Sequence, residues 1–305
     1  MKVSLYSPDG VTKRTPVTKV LKATLVRLGL YPIALRMYRN QLLLSAKIRC
    51  LRPYWSYLLR HPFSHLIYLV PFLLFDKEIT NFTYEISNVD ELISFLSIEM
   101  NIDESIVRRY AQELEADQEL RNSLETRLRL REDRNPRALY GRRIGWYCVV
   151  RVRKPQLVVE TGTRDGLGAS VLARGLFQNA QEGHPGELLT FDIDSGAGWL
   201  LNSALAGNFQ VIIGNTRTVL PDSLSGLRVD LFIHDSDHHY EHETFEMETI
   251  FPLLGDSAII LSDNAHASNA MVDFCRKHGL RFAFWKERTK KHFYPGGGIG
   301  MSKKL

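Results

Sequence analysis

Two apolar runs of the sequence end in carboxylates: VDLFIHD stops at Asp235, and SAIILSD stops at Asp263, which Asn264 follows. Short β-branched runs of this kind read as buried strands, and parallel strands open their carboxyl ends into one crevice at the topological switch point. Asp235, Asp263 and Asn264 are therefore predicted to converge. Three oxygen donors, with water and substrate completing the shell, suit Mg2+ or Mn2+. His238, three residues beyond Asp235, would stand beside that ion as a general base, against a bland reading as a solvated or structural histidine. His234, His238, His239 and His242 crowd the same nine residues, and His266 lies two beyond Asn264. No H-E-x-x-H zinc motif is present. The inverse spacing H-x-x-E-H at 238–242 begins at a strand end rather than inside a long helix, so zinc is set aside and His239, His242 and His266 are read as ordinary.

Three further strand ends carry polar groups suited to a nucleoside cofactor. QLVVE ends in Glu160 and runs into TGTRDGLGAS, which puts Gly162, Thr163, Gly166 and Gly168 in the turn before a helix. Glycines there let backbone N–H groups approach a ligand, and the helix N-terminus favours negative charge, although tight packing alone also calls for such a turn. A G-x-G-x-x-G dinucleotide fingerprint is not met, because Thr163, Arg164 and Asp165 separate the first two glycines. ELLTFDID ends in Asp192, placed to accept from both ribose hydroxyls, with Asp194 as the second choice. FQVIIGN ends in Gly214 and Asn215, where a small residue and an amide would flank an adenine ring.

The elements that must position these groups follow from the pattern beyond residue 140. Strands are predicted at Gln156–Glu160, Glu187–Asp192, Gln210–Gly214, Asp230–Asp235, Ala258–Asp263 and Arg281–Trp285, with a last one near Ile299–Ser302 and helices in the gaps. Alternation of this kind indicates a doubly wound α/β sheet. Residues 87–135 read as two helices, one opening at Asn88 with Glu91 and one at Asn101 with Glu104, the latter running from Asp103 to Arg134 until Asn135 and Pro136 break it. Residues 1–86, punctuated by prolines at 16, 32, 53, 62 and 71, read as several short helices.

On these residues the chain resembles class I S-adenosylmethionine-dependent methyltransferases, and within them the metal-dependent O-methyltransferases of the catechol and macrocin type. The resemblance covers roughly residues 140–303. It rests on E-x-G-x-x-x-G at Glu160, Gly162 and Gly166, on Asp192, on the D-x-D-H-x-Y run at 235–240, and on the Asp-Asn pair 28 residues after Asp235. It implies a Rossmann-like sheet of seven strands with the last antiparallel, Gly162 and Gly166 along the methionine part of the cofactor, Asp192 on its ribose, and Asp235, Asp263 and Asn264 around Mg2+. Catechol-type enzymes carry a lysine as base where this chain has His238, as the sugar-modifying branch does. Asn264 departs from the acid found in the macrocin pattern. Methyl transfer from a sulfonium is an in-line displacement, so a hydroxyl acceptor has to be positioned and deprotonated, and a vicinal diol on a metal favours sugars or catechols over amines. The expected activity is O-methylation of a sugar or glycan hydroxyl.

Composition bounds the rest. With 44% hydrophobic and 24% charged residues the chain is neither disordered nor a multi-span membrane protein. The net charge of +5 conceals a split: residues 1–75 hold twelve Lys or Arg and the single acid Asp9, a charge of +11, leaving −6 for the remainder. The natural division is a basic helical extension, 1–135, and a methyltransferase domain, 136–305. The extension is expected to meet an anionic partner, a membrane surface before nucleic acid, or to form a homo-oligomer. The apolar run His65–Phe75 is about half a membrane span and Pro71 interrupts it. Cys50, Cys148 and Cys275 have no paired spacing and no signal peptide is evident, so a cytoplasmic protein, peripheral at a membrane, is expected. A nucleic-acid methyltransferase, a silent cofactor-binding scaffold and a nicotinamide oxidoreductase are the competing classes; the last two would have no use for the Asp235, Asp263 and Asn264 cluster.

Overall fold

A computed structural model describes residues 26, 44–48, 51, 62–74, 84–131 and 133–304. Most of the basic segment 1–75 therefore lies outside the described residues.

The central strands are buried along almost their whole length, which is why they read as continuous apolar runs. In β2 (Leu157–Thr161), β5 (Val229–His234) and β6 (Leu254–Asp263), successive side chains go to opposite faces of the sheet. Val158, Leu231, Ile233, Ile259 and Leu261 join one core, while Val159, Phe232 and Ile260 join the other. With β3 (Glu187–Asp192), β4 (Asn208–Ile213), β7 (Phe282–Lys286) and β9 (Gly298–Lys303), these strands form one seven-stranded sheet in the order β4-β3-β2-β5-β6-β9-β7. Strands β4 to β6 in that order are parallel, and β9 runs antiparallel to both β6 and β7. This is a Rossmann-like methyltransferase sheet, with the last strand antiparallel as expected. The strand order reverses between β2 and β5, where Thr161 pairs with His234 and His234 in turn with Ser262, so the carboxyl ends of β2, β5 and β6 stand level.

One face of the sheet is covered by α8 (Tyr240–Ile250) and α9 (Ala270–Lys277), which contribute Met247, Ile250 and Phe274. On the other face, α5 (Arg143–Arg153) packs against α6 (Leu167–Gln181) and is buried on every side from Ile144 to Arg151. A helix apolar all round belongs inside a core, and further layers enclose this one: α2 (Val89–Met100), α3 (Glu104–Ala116) and α4 (Gln118–Leu128) share its cluster.

Three expectations for the helices need correction. The stretch 103–134 is two helices, broken at Asp117, whose carboxylate accepts from the Leu120 N–H at 2.9 Å and pairs with Arg174 of α6 at 2.7 Å. A cap anchored from another element outweighs the helix propensity of the charged residues around it. Asn101 ends α2 in a left-handed conformation (φ 51°) instead of opening α3, which Asp103 caps by accepting from Ser105. Asn88 heads α2 without capping it: its amide donates to Glu91 and to the Lys286 carbonyl, and its oxygen accepts from the Arg288 N–H. These bonds fasten β1 (Glu85–Ile86) to β8 (Thr289–Lys290) as a two-stranded ribbon. In α1 (Pro62–Leu74) the helix continues through Pro71, since a proline three residues from the end removes a single N–H bond. Among the described residues no helix is long and apolar enough to cross a membrane.

Candidate active site

The crevice lies where the strand order reverses. Its floor begins at Gly162, the residue after β2, held at φ 94°; a Cβ there would fall 2.0 Å from the Asp235 carbonyl oxygen. Only glycine lets the β2 and β5 loops pass so closely, and the Asp235 N–H closes the approach by donating to the Thr161 carbonyl at 2.8 Å. Gly166 (φ 91°) plays the same part toward Gly198.

A second anchor lies below. Glu246 of α8, fully buried, accepts from Thr161 Oγ1 (2.6 Å), His234 Nδ1 (2.7 Å), His242 Nε2 (2.8 Å) and Ser236 Oγ (2.9 Å). Burial would raise its carboxyl, but these donors hold it well below the usual carboxylate range, and the bond to Glu246 raises His242 in return. Thr161 and His234 thus tie the β2 and β5 ends to α8, while His242 pairs with Glu246 within that helix and contacts Thr216, which accounts for two of the crowded histidines without a metal.

Above this platform a cavity of about 260 Å³ is lined by Glu160, Gly162, Thr163, Asp235, His238 and Asn264, together with Arg142, Arg143, Arg164 and Asp165. Gly166, Asp192, Asn215 and Asp263 are not on its wall. Asp192 takes the Arg164 N–H (2.6 Å) and the Asp194 N–H (2.8 Å), so its first task is to shape the loop beside the cavity. Asn215 is exposed and caps α7 (Thr216–Ser223), accepting from the Arg217 N–H at 3.0 Å.

Buried charge governs the chemistry. Burial pushes Glu160 up to about 7, against a hydrogen bond donated by Thr190 at 2.6 Å. Burial and the neighbouring Asp263 charge push Asp235 well above the carboxylate range. Asp263 is buried as well, yet the Arg142 guanidinium holds it down at about 2. His238 lies 3.8 Å from Asp235 and is lowered by burial, against the attraction of Asp263. Asn264 Nδ2 donates to Asp263 Oδ2 (2.8 Å) and faces His238 Nε2 at 3.2 Å, an arrangement that assigns the acceptor lone pair to Nε2 and the proton to Nδ1.

Ligand atoms of Asp235, His238 and Asp263 lie within 4.8 Å of one another, a spacing that suits a divalent ion. The donor chemistry does not. Arg142 bonds both oxygens of Asp263 through Nε and Nη2, and Asn264 turns its amide nitrogen rather than its oxygen toward the cluster. The expected Asp235, Asp263 and Asn264 ligand set is brought together, but a guanidinium already holds its central member. A cofactor with a zwitterionic amino-acid end does fit: Arg143 Nε is buried on the cavity wall without a hydrogen-bond partner, and the Glu160 carboxyl lies on the same wall. Sequence reasoning missed Arg142 and Arg143, since a tandem arginine before a helix carries no spacing that marks it.

Residues 159–265 match the profile of a methyltransferase domain family. No curated protein sequence matches the chain significantly. Among solved structures, the SAH-bound methyltransferase PaMTH1 from Podospora anserina aligns with 60% of this chain and 88% of its own at 15% identity (TM-score 0.46). The O-methyltransferase from Bacillus cereus in complex with SAH aligns with 70% and 97% at 14% identity (TM-score 0.40). TomG from Streptomyces achromogenes, an O-methyltransferase involved in tomaymycin synthesis, solved with SAM, aligns with 52% and 77% at 16% identity (TM-score 0.40). These structural likenesses are too distant to carry an acceptor across. The profile match places a methyltransferase domain at residues 159–265, on a sheet of this order with a glycine loop after its first parallel strand.

Proposed function

We propose that the protein is an O-methyltransferase acting on a hydroxyl of a sugar or glycan, with His238 as general base. The observation that carries the reading is His238 standing on the wall of the same cavity as the glycine loop. S-adenosylmethionine, when bound, supplies a methyl group on a sulfonium centre. Glu160 and Arg143 would hold its amino-acid end, Gly162 and Thr163 would line its path, and Asp192 would take its ribose. The acceptor hydroxyl would take that methyl group and pass its proton to the His238 ring. The magnesium expected from the resemblance finds its donors drawn together but engaged, so the reaction is written without it.

The reading extends to the N-terminal region. α1 exposes Ile67, Val70 and Leu74 on the side opposite Leu69 and Phe72, which are buried. With the +11 charge of residues 1–75, this apolar face supports contact with an anionic membrane that would bring the enzyme to a lipid-linked acceptor.

Calorimetry with S-adenosylhomocysteine tests the core of the proposal. Binding by the wild type, weakened in Asp192→Ala, followed by turnover in a screen that begins with sugars, is the expected result. Absence of binding would return the chain to the scaffold and oxidoreductase classes.

A further inference from the structure

We propose that Arg142 is the built-in cation of this active site: it engages both oxygens of Asp263, the carboxylate a divalent ion there would need, and, through Asp263 and Asn264, orients His238. The proposal rests on the methyl-transfer reading above and deepens it.

Arg142 immediately precedes α5 and is 5% exposed. One side of its guanidinium is spent on Asp263, with Nε on Oδ1 and Nη2 on Oδ2. The other side is clamped, since Nη1 donates to Glu287 Oε1 at 2.8 Å and to Tyr84 Oη. Glu287 is itself held by the Tyr84 hydroxyl (2.6 Å) and the Gly297 N–H (2.5 Å). The arginine therefore has no second position to swing into. A dication among Asp235, His238 and Asp263 would have to share each Asp263 oxygen with a guanidinium in a buried, low-dielectric setting. Expelling Arg142 to make room would leave the buried Glu287 without its cation, which is the costly way to break such a pair.

The chain of bonds continues toward the base. Asp263 Oδ2 receives both Arg142 and Asn264, and Asn264 Nδ2 faces His238 Nε2. Arg142 is thus a positioning residue. It holds Asp263 in place, Asp263 fixes the Asn264 amide, and the amide, donating toward Nε2, fixes the His238 ring and its tautomer. Arginine suits this task because its planar fork matches a carboxylate bidentately and keeps its charge when buried.

The test is a titration of Mn2+ into the full-length protein saturated with S-adenosylhomocysteine, followed by electron paramagnetic resonance. The wild type is expected to leave the aqueous Mn2+ signal undiminished, with no saturable site. Arg142→Gln frees Asp263 and should create one saturable site per chain, whereas Arg142→Lys keeps a cation and should stay metal-free. Nitrogen NMR of the His238 ring adds a readout that a merely structural role would not move: the Nδ1–H tautomer in the wild type, lost in Arg142→Gln and restored in Arg142→Lys. One Mn2+ bound per wild-type chain and released by Asp263→Asn overturns the proposal, as does a folded Arg142→Gln protein that takes up none. Calorimetry on the same samples separates the two readings. Retained S-adenosylhomocysteine binding with Mn2+ uptake by the wild type defeats this inference alone, and absent S-adenosylhomocysteine binding defeats the methyltransferase function.

Discussion

Replacing His238 by Ala should lower kcat by roughly 10²–10⁴-fold, the usual contribution of a positioned general base, and leave S-adenosylhomocysteine affinity unchanged in calorimetry. Burial lowers the His238 pKa below its ordinary value, and a base works only in its neutral form. The acid limb of the kcat profile should therefore lie below the range of a free imidazole. Glu160 titrates with the opposite consequence. Burial pushes it up to about 7, so the folded state binds its proton more tightly than the unfolded state does. Its contribution to stability is complete below the unfolded carboxyl range and drains away as the pH climbs to about 7, on the order of 3 kcal/mol over that interval. Thermal melts of Glu160→Gln should show a Tm that changes less than that of the wild type across this window; parallel curves would refute the buried-carboxyl account. The convergence of Asp235, His238 and Asp263 was legible because strand ends in a parallel sheet share one edge, whereas Asp192 and Gly166 stand off the cavity wall. Asn215 was placed on the cofactor by the same rule and stands exposed as a helix cap, since the rule names a strand end and says nothing about where a side chain turns.

Strand boundaries came within a few residues of the observed ones because strands buried on both faces read as continuous apolar runs ended by polar turn residues. The helices before the sheet were less legible. Asp117 looks like any acid in a charged helix until Arg174, 57 positions away, is brought onto it. Asp117→Ala should cost about 1–2 kcal/mol in urea unfolding, from the lost α4 cap and the loosened Arg174 pair. A loss confined to a few tenths would mean that the break between α3 and α4 is set by other residues. The β1–β8 ribbon escaped notice for a similar reason: two residues per strand form no pattern, yet the ribbon carries Tyr84 and Glu287 to the back of the active site.

For the molecule as a whole, the charge split predicts where the protein goes. Wild type should float with vesicles containing anionic lipid and stay behind with neutral ones, the binding weakening as salt is raised. Replacing Ile67, Val70 and Leu74 by Asp should reduce flotation severalfold with calorimetric cofactor binding intact. Equal flotation of wild type and variant would remove α1 from the membrane reading. Helices α2 to α4 share one apolar cluster with Val158, Leu231 and Ile259 of the sheet, so the residues before 135 that the structure describes help to enclose the catalytic core.

The sequence by itself determined the sheet, the order in which polar groups reach its working edge, and the family resemblance, because each depends on short-range periodicity and on residue types at strand ends. The tertiary structure alone decided which cation meets Asp263. That depends on Tyr84, Arg142 and Glu287 arriving from three distant segments, and on the need of a buried carboxylate for a partner, which no local spacing records.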